Sequence, residues 1–260
     1  MLFSIIRNVN HQLKIILYPI IFDVIALMIG IYLVGFHGEP FFSINLILEM
    51  GIPTVSDISS ISIFANQMTI LNELESVHVL AVAIVISLIL IRAFLQGGYI
   101  HFLASIIKDD NFYFKKFIYF GRKYWLQFTI LEFMVYLLKI SLAAFFIIFF
   151  PNIGSITALF SMVVLRTVFI YLEFTIVEDR VNIPTALKLS RRYFFQSFFP
   201  TTTLVIIMYI LSATLSYLLH QHWSFILIIC MIVIYSYLMT LIQALFMSVF
   251  KKLTSNVSEN

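Results

Sequence analysis

Six apolar stretches, each long enough to cross a bilayer, divide the sequence. A transmembrane helix needs about 20 consecutive apolar residues to cross a hydrocarbon core of about 30 Å. The stretches cover residues 15–36, 77–103, 124–150, 153–176, 201–220 and 224–250. The sequence therefore predicts an all-α polytopic membrane protein in which residues 1–260 form a single transmembrane domain of six helices.

Composition indicates that lipid is the solvent of this chain. Hydrophobic residues make up 62% of the sequence and charged residues 11%, against about 45–50% and about 25% in soluble domains. So few charged side chains cannot cover the exterior of a soluble fold of 260 residues. The first stretch follows Arg7 and Lys14. It is too long for the apolar region of a signal peptide and no small-x-small cleavage site follows it, so we expect a retained helix.

Lysine and arginine side chains lie on alternate connections between the stretches. The connections on one side hold Arg7, Lys14, Lys108, Lys115, Lys116, Arg122, Lys123, Arg180, Lys188, Arg191, Arg192, Lys251 and Lys252. The connections on the other side, residues 37–76 and the turns PNIGS and HQHWS, hold none. Because cytoplasmic loops carry an excess of cations, we expect a multi-pass protein of the cell membrane with both termini in the cytoplasm.

In the long connection over residues 37–76, no lysine or arginine is present and five acidic side chains are. They are Glu39, Glu49, Asp57, Glu73 and Glu75. Its apolar runs, FFSINLILEM and ISIFANQMTI, predict short helices that lie on the outer surface of the membrane. The connection is too short to form a catalytic domain of its own.

Two segments share one pattern: GRKYWLQF over residues 121–128 and SRRYFFQS over residues 190–197. Each has a small residue, two cations, a tyrosine, two apolar residues and a glutamine, and each precedes an apolar stretch. Helical periodicity predicts amphipathic helices in the membrane interface over residues 111–125 and 184–199. The recurrence of the pattern also suggests a parallel internal repeat of residues 77–150 and 153–220. The second interpretation is that basic and aromatic anchors recur at any cytoplasmic interface.

The cations of these segments favour anionic lipid over nucleic acid as a partner, because bulky aromatic residues interrupt them and a membrane lies beside them. The predicted lipid-interface residues are Lys115, Lys116, Arg122, Lys123, Trp125, Lys188, Arg191 and Arg192.

Six charged residues fall inside the apolar stretches: Asp23, Arg92, Glu132, Lys139, Arg166 and Glu173. Charges in lipid are costly and usually face protein or water. Counted along the helices, four of them share one depth on the cytoplasmic half, which predicts a polar intramembrane layer with Glu132 and Arg166 as the best-matched pair. The layer is either a cavity for an ion, a lipid headgroup or a peptide, or a set of salt bridges that fix helix packing.

Motifs for catalysis, cofactors and metals are missing from the sequence. It contains no H-E-x-x-H, G-x-S-x-G, Walker or dinucleotide-binding pattern, so we expect a non-enzyme without a cofactor. Four histidines, His37, His78, His220 and His222, lie at outer ends of the stretches. Zinc is not expected there, because His220 and His222 point to different faces of a helix and no cysteine completes a ligand set.

The combination of an acidic turn, a V-x-I-P-x-A-L-x-x-S segment (VNIPTALKLS, residues 181–190) and a following helix resembles a bacterial family. That family comprises six-span proteins related to the membrane domain fused to some glycerophosphodiester phosphodiesterases. The resemblance covers residues 77–220 and implies a membrane domain. The phosphodiesterase domain is not in this sequence, so the resemblance implies no catalytic residues.

Two functions fit these features. The first is a membrane binding or accessory protein that engages anionic lipid or a membrane partner. The alternative is a permease subunit of an exporter that works with an ATPase supplied by another chain. A co-purifying ATPase would favour the alternative, and retained lipid without an ATPase would favour the first.

Overall fold

The structure, a computed structural model, describes residues 2–45, 50–73, 79–107 and 113–258. The helices in chain order are α1 (Leu2–His11), α2 (Lys14–Val34), α3 (Val55–Ile58), a 3-10 helix (Met68–Glu73), α4 (Val79–Ile107), α5 (Phe114–Phe149), α6 (Gly154–Val168), α7 (Leu172–Glu178), α8 (Ile183–Gln196), α9 (Phe198–Gln221) and α10 (Phe225–Ser258). Among the described residues, six spans are long and apolar enough to cross a membrane: α2, α4, α5, α6 with α7, α9 and α10. The predicted class, a polytopic all-α membrane protein, is confirmed.

The bundle has two ends, which we name by what they carry. The terminal side carries α1, α8 and the end of α10, and the loop side carries residues 35–45 and the turns at 150–153 and 222–224. Helix α10 lies at the centre and packs against α2, α4 and α9. Helix α1, which the sequence analysis did not predict, packs on α4 and α10, and its Asn8 side chain donates to the carbonyl oxygen of Ile106 at 3.2 Å.

Helices α4 and α5 form a close antiparallel pair because glycines line their contact. A Cβ atom on Gly98 would lie 2.7 Å from the carbonyl oxygen of Phe117, and one on Gly121 would lie 2.8 Å from that of Phe94. Small residues let helix backbones approach in this way where burial of apolar area gives little driving force.

The interfacial helix predicted over residues 111–125 is wrong as a separate element. From Phe114 onward this segment is the first part of α5, a single helix of 36 residues and about 54 Å in length. No proline interrupts it, and Gly121 serves the contact with α4. Residues 108–112, with the acidic turn KDDN, lie outside the described residues.

The second predicted interfacial helix corresponds to a separate element, α8. Asn182 begins it, because its side chain accepts a hydrogen bond from the amide of Thr185 at 3.3 Å. The helix ends before Ser197, where the backbone leaves helical geometry (φ −118°, ψ 32°). Pro200 explains the break, since a helix running through it would lose one hydrogen bond and meet the carbonyl group of Gln196.

The predicted repeat required both segments to form separate helices in front of their spans, and the two segments differ in this respect. GRKYWLQF continues into its span, whereas SRRYFFQS belongs to a helix that stops before Pro200. The equivalence of the two segments is wrong, and their similarity is one of interfacial composition. The repeat boundaries, 77–150 and 153–220, have no support from these helices.

Helices α5 and α6 form a hairpin at the edge of the bundle. Within the described chain, the buried residues of α5 are Phe117, Phe120, Gly121, Tyr124, Phe128 and Leu131. All of them lie in its terminal-side half. The loop-side half packs against α6 and otherwise presents apolar side chains to the surroundings, as expected of a helix in lipid.

The prediction that residues 37–76 lie on the membrane surface is wrong for residues 50–66, which enter the bundle. We call these residues the re-entrant segment. The amide of Ala65 donates to the carbonyl oxygen of Ala26 on α2 at 3.0 Å, about 12 Å below the loop-side end of that helix. At the other end of the segment, Gln96 of α4 donates to the carbonyl oxygen of Met50 at 3.2 Å. Met50, Ile52, Val55, Ile58, Ile63 and Phe64 join the main hydrophobic core.

Gly30 of α2 leaves room for the re-entrant segment. A Cβ atom at this position would overlap the carbonyl oxygen of Ile63. We expect Gly30→Ala to destabilise the protein by about 1–3 kcal/mol, the usual cost of overpacking, as measured by thermal unfolding in detergent. The control is Ala83→Val, which adds volume at an exposed position of α4. Equal stability of Gly30→Ala and the parent would contradict this packing.

Candidate functional site

The re-entrant segment carries an ion pair into the membrane-spanning part of the protein. Arg92 of α4 donates to both carboxylate oxygens of Asp57 in α3, from Nη1 to Oδ1 at 3.0 Å and from Nη2 to Oδ2 at 2.8 Å. The two side chains are 17% and 14% exposed. Arg92 lies 13 residues into α4, about 20 Å from its loop-side end. This fork-to-carboxylate geometry gives a strong and directional contact.

Asp23 of α2 lies beside this pair and is fully buried. Its Oδ2 atom accepts a hydrogen bond from the amide of Val55 at 2.7 Å, so it binds the first residue of α3. Its Oδ1 atom is buried and has no hydrogen-bond partner among the described residues. The charges of Asp57 and Arg92 both act on this carboxyl group. Asp23, Asp57 and Arg92 together form what we call the charged centre.

Polar side chains of the helices also satisfy the backbone of the re-entrant segment. Ser216 of α9 donates to the carbonyl oxygen of Ile58 at 2.9 Å, and His220 accepts from the amide of Ser60 at 2.9 Å. Within the segment, Asn66 donates to the hydroxyl of Ser56 at 2.8 Å. Non-helical backbone at membrane depth needs such partners because lipid offers none.

The hydrogen bonds of His220 define its tautomer. Nε2 faces a backbone amide, which must donate, and Nδ1 lies 2.7 Å from the carbonyl oxygen of Ser216, which must accept. The ring therefore carries its hydrogen on Nδ1 and is neutral. Both nitrogens hold structural contacts, so His220 anchors the re-entrant segment and is not open to a metal. His78 lies outside the described residues.

The remaining predicted intramembrane charges lie away from the charged centre. Arg166 of α6 forms an ion pair with Glu173 of α7 at 2.6 Å, across the interruption of the fourth span at residues 169–171. A pairing of Arg166 with Glu132 stays a prediction. Glu132 is half-buried and Lys139 is exposed on α5.

Glu132 does not share the depth of Arg92. The glycine contacts place Arg92 level with about residue 124 of α5, which is eight residues, or about 12 Å, from Glu132. The depth of Glu132 counted from the sequence was wrong because the count started at residue 124, whereas α5 begins at Phe114.

A second ionic cluster lies at the terminal side. Glu178 at the end of α7 pairs with Lys251 of α10 and lies 3.6 Å from Nδ1 of His101 in α4. The next residue, Asp179, accepts a hydrogen bond from the Tyr193 hydroxyl of α8 at 3.0 Å. Burial, followed by the Asp179 carboxylate, raises the pKa of Tyr193 to about 12. The phenol therefore keeps its proton and donates at neutral pH.

The predicted lipid-interface residues all have exposed side chains. In α5 these are Lys115, Lys116, Arg122, Lys123 and Trp125, and in α8 they are Lys188, Arg191 and Arg192. Helix α8 turns Ala186, Ser190, Tyr193 and Phe194 toward the bundle. Its three cations therefore lie on the face that points away from the protein.

Comparison of the chain with models of known protein families, with curated proteins and with solved structures finds no match. The resemblance to the membrane domain of glycerophosphodiester phosphodiesterases stays a prediction.

Sequence reasoning found Asp23 and Arg92 but assigned Asp57 to the outer surface. One signal for its true position was present. Residues 50–66 carry a single charged side chain, Asp57, which is far below the roughly 25% of charged residues that is usual for chain in contact with water. Glu49 and Glu75 lie outside the described residues.

The charged centre predicts unequal costs for removing its members. Arg92→Leu leaves carboxyl groups without a cation and should cost about 3–5 kcal/mol, the range for breaking a buried ion pair. Asp57→Asn should cost less, because Asp23 can then give up its proton and become the counter-charge of Arg92. Adding Asp57→Asn to Arg92→Leu should recover part of the loss. Equal unfolding free energies for the two single variants would show that Asp23 does not replace Asp57 as the counter-charge of Arg92.

Proposed function

We propose that the protein is a membrane transport component in which the re-entrant segment closes a pathway through the bundle. One observation carries the proposal: a charged, largely non-helical segment is held at membrane depth by side chains of α2, α4 and α9. Interrupted backbone and ionisable groups at this depth are typical of ion and substrate sites in transport proteins. Of the two functions expected from the sequence, this geometry favours the permease.

The orientation that we propose places the terminal side in the cytoplasm. The exposed cations of α5 and α8 lie at that end, and lysine and arginine are more frequent in the cytoplasmic loops of membrane proteins. The re-entrant segment then enters from the outside. Helix α8, with its exposed Arg191 and Arg192, is the element that a cytoplasmic ATPase would contact.

Binding of anionic lipid is a second candidate function, favoured by the separate helix α8. Its buried stripe fixes it to the bundle, and its exposed cations suit anionic headgroups at about 1 kcal/mol for each charge. A protein that only binds lipid needs no closed pathway in its centre. The two candidates therefore differ in what opening of the re-entrant segment does.

Unlocking the segment tests the transport proposal without knowledge of the substrate. The variant Asp57→Asn/Arg92→Gln removes the ion pair that holds α3. Reconstituted into planar bilayers of phosphatidylethanolamine and phosphatidylglycerol, it should conduct ions more than the parent does. The reason is that the segment would leave the bundle for part of the time.

The matched control is Arg166→Gln/Glu173→Gln, which removes an ion pair outside the segment. It should destabilise the protein without adding conductance. If the unlocked variant conducts no more than this control, the segment closes no pathway. Retention of phosphatidylglycerol by the purified protein, lost in Arg191→Gln/Arg192→Gln, would then support the lipid-binding function.

A further inference from the structure

We propose that Asp23 is a proton-binding site, with the proton held on its Oδ1 atom. This assignment names the ion that acts on the proposed pathway. It rests on the transport function only for what the proton does, and not for where the proton binds.

The count of charges around Asp23 is the first reason. The centre contains two carboxyl groups and one guanidinium group, and Arg92 already donates to both oxygens of Asp57. Helix α10, which packs against α2, has no Asp, Glu, Lys, Arg or His from Phe225 to Phe250. In α9 the one such residue is His220, which is neutral. Within the part of the chain that the structure describes, an ionised Asp23 would thus add a buried negative charge without a cation of its own, which is far more costly than a neutral carboxyl group.

The hydrogen bonds of Asp23 identify the oxygen that carries the proton. Oδ2 accepts the amide hydrogen of Val55 and so acts as the carbonyl oxygen of a neutral acid. Oδ1 is buried without a hydrogen-bond partner in the part of the chain that the structure describes. The proton forms an O–H bond there. On release it passes to water, and the electron pair stays on the carboxylate.

Release of the proton links this site to the re-entrant segment. An ionised Asp23 competes with Asp57 for Arg92, whose charge already acts on it. Because Arg92 holds α3 through Asp57, exchange of partner removes the ion pair that locks the segment. The same carboxyl group bonds the amide of Val55, so a change at Asp23 reaches α3 by two routes.

A hydrophobic carbodiimide tests the protonation state, because it adds to protonated carboxyl groups and leaves a stable acylurea. The probe is dicyclohexylcarbodiimide, applied to the full chain in detergent at neutral pH, with modified peptides read by mass spectrometry. We expect modification at Asp23 that declines as the pH rises, and little at Asp57, which is held by Arg92. Asp23→Asn must abolish the Asp23 adduct. Modification of Asp57 but not of Asp23 would overturn the assignment.

The pH dependence of stability provides a second measurement that does not need access of a reagent. The folded state holds one proton more than an unfolded state with ionised Asp23, so stability must fall as the pH rises. The unfolding equilibrium constant should increase by up to about tenfold for each pH unit in the range where one proton separates the states. Asp23→Asn mimics the neutral acid and should lack this component. Identical pH profiles for the parent and Asp23→Asn would contradict the proposal.

These outcomes separate the proton site from the transport function. Modification of Asp23 in a protein whose unlocked variant does not conduct leaves the site and removes the pathway. The opposite result is also possible: the unlocked variant conducts, Asp23 does not react with the carbodiimide, and the stability difference between the parent and Asp23→Asn does not change with pH. That result supports the pathway and contradicts the proton site.

Discussion

A non-helical backbone inside a membrane must find partners for its amide and carbonyl groups, and the arrangement at the centre of this bundle follows from that need. Residues 50–66 meet it by bonding to side chains of three spanning helices. Asp23 accepts from Val55, Gln96 donates to Met50, and His220 accepts from Ser60. Each of these polar side chains would be costly in lipid. Helices and segment therefore stabilise one another.

The charged centre follows from the same arrangement. Once α3 is drawn into the bundle, Asp57 requires a cation and Arg92 supplies it. Among the described residues, that pairing leaves Asp23 without a cation of its own, and for this reason we assign the proton to Asp23. The ion pair of Arg166 with Glu173 and the cluster around Glu178 lie elsewhere. They join α6 to α7 and α7 to α10.

The parts of the fold that depend on local sequence could be predicted, and the parts that depend on distant partners could not. The spans follow from length and apolarity alone, and α8 follows from its capping Asn182 and from Pro200. The depth of Asp57 depends on Arg92, 35 residues away, and the anchor of Ser60 is His220, 160 residues away. No periodicity in residues 50–66 reveals these contacts. The prediction of a separate first interfacial helix was wrong for a local reason, because no helix-breaking residue interrupts α5.

The depth of the re-entrant segment is the central claim, and cysteine accessibility measures it most directly. In a Cys230→Ala background, Ala65→Cys places a thiol at a buried position that bonds to α2, whereas Glu39→Cys places one at an exposed loop-side position. In sealed vesicles with the loop side outward, a membrane-impermeant maleimide should label Glu39→Cys at once and Ala65→Cys only after denaturation. Equal labelling of both positions in the native protein would show that the segment lies on the membrane surface.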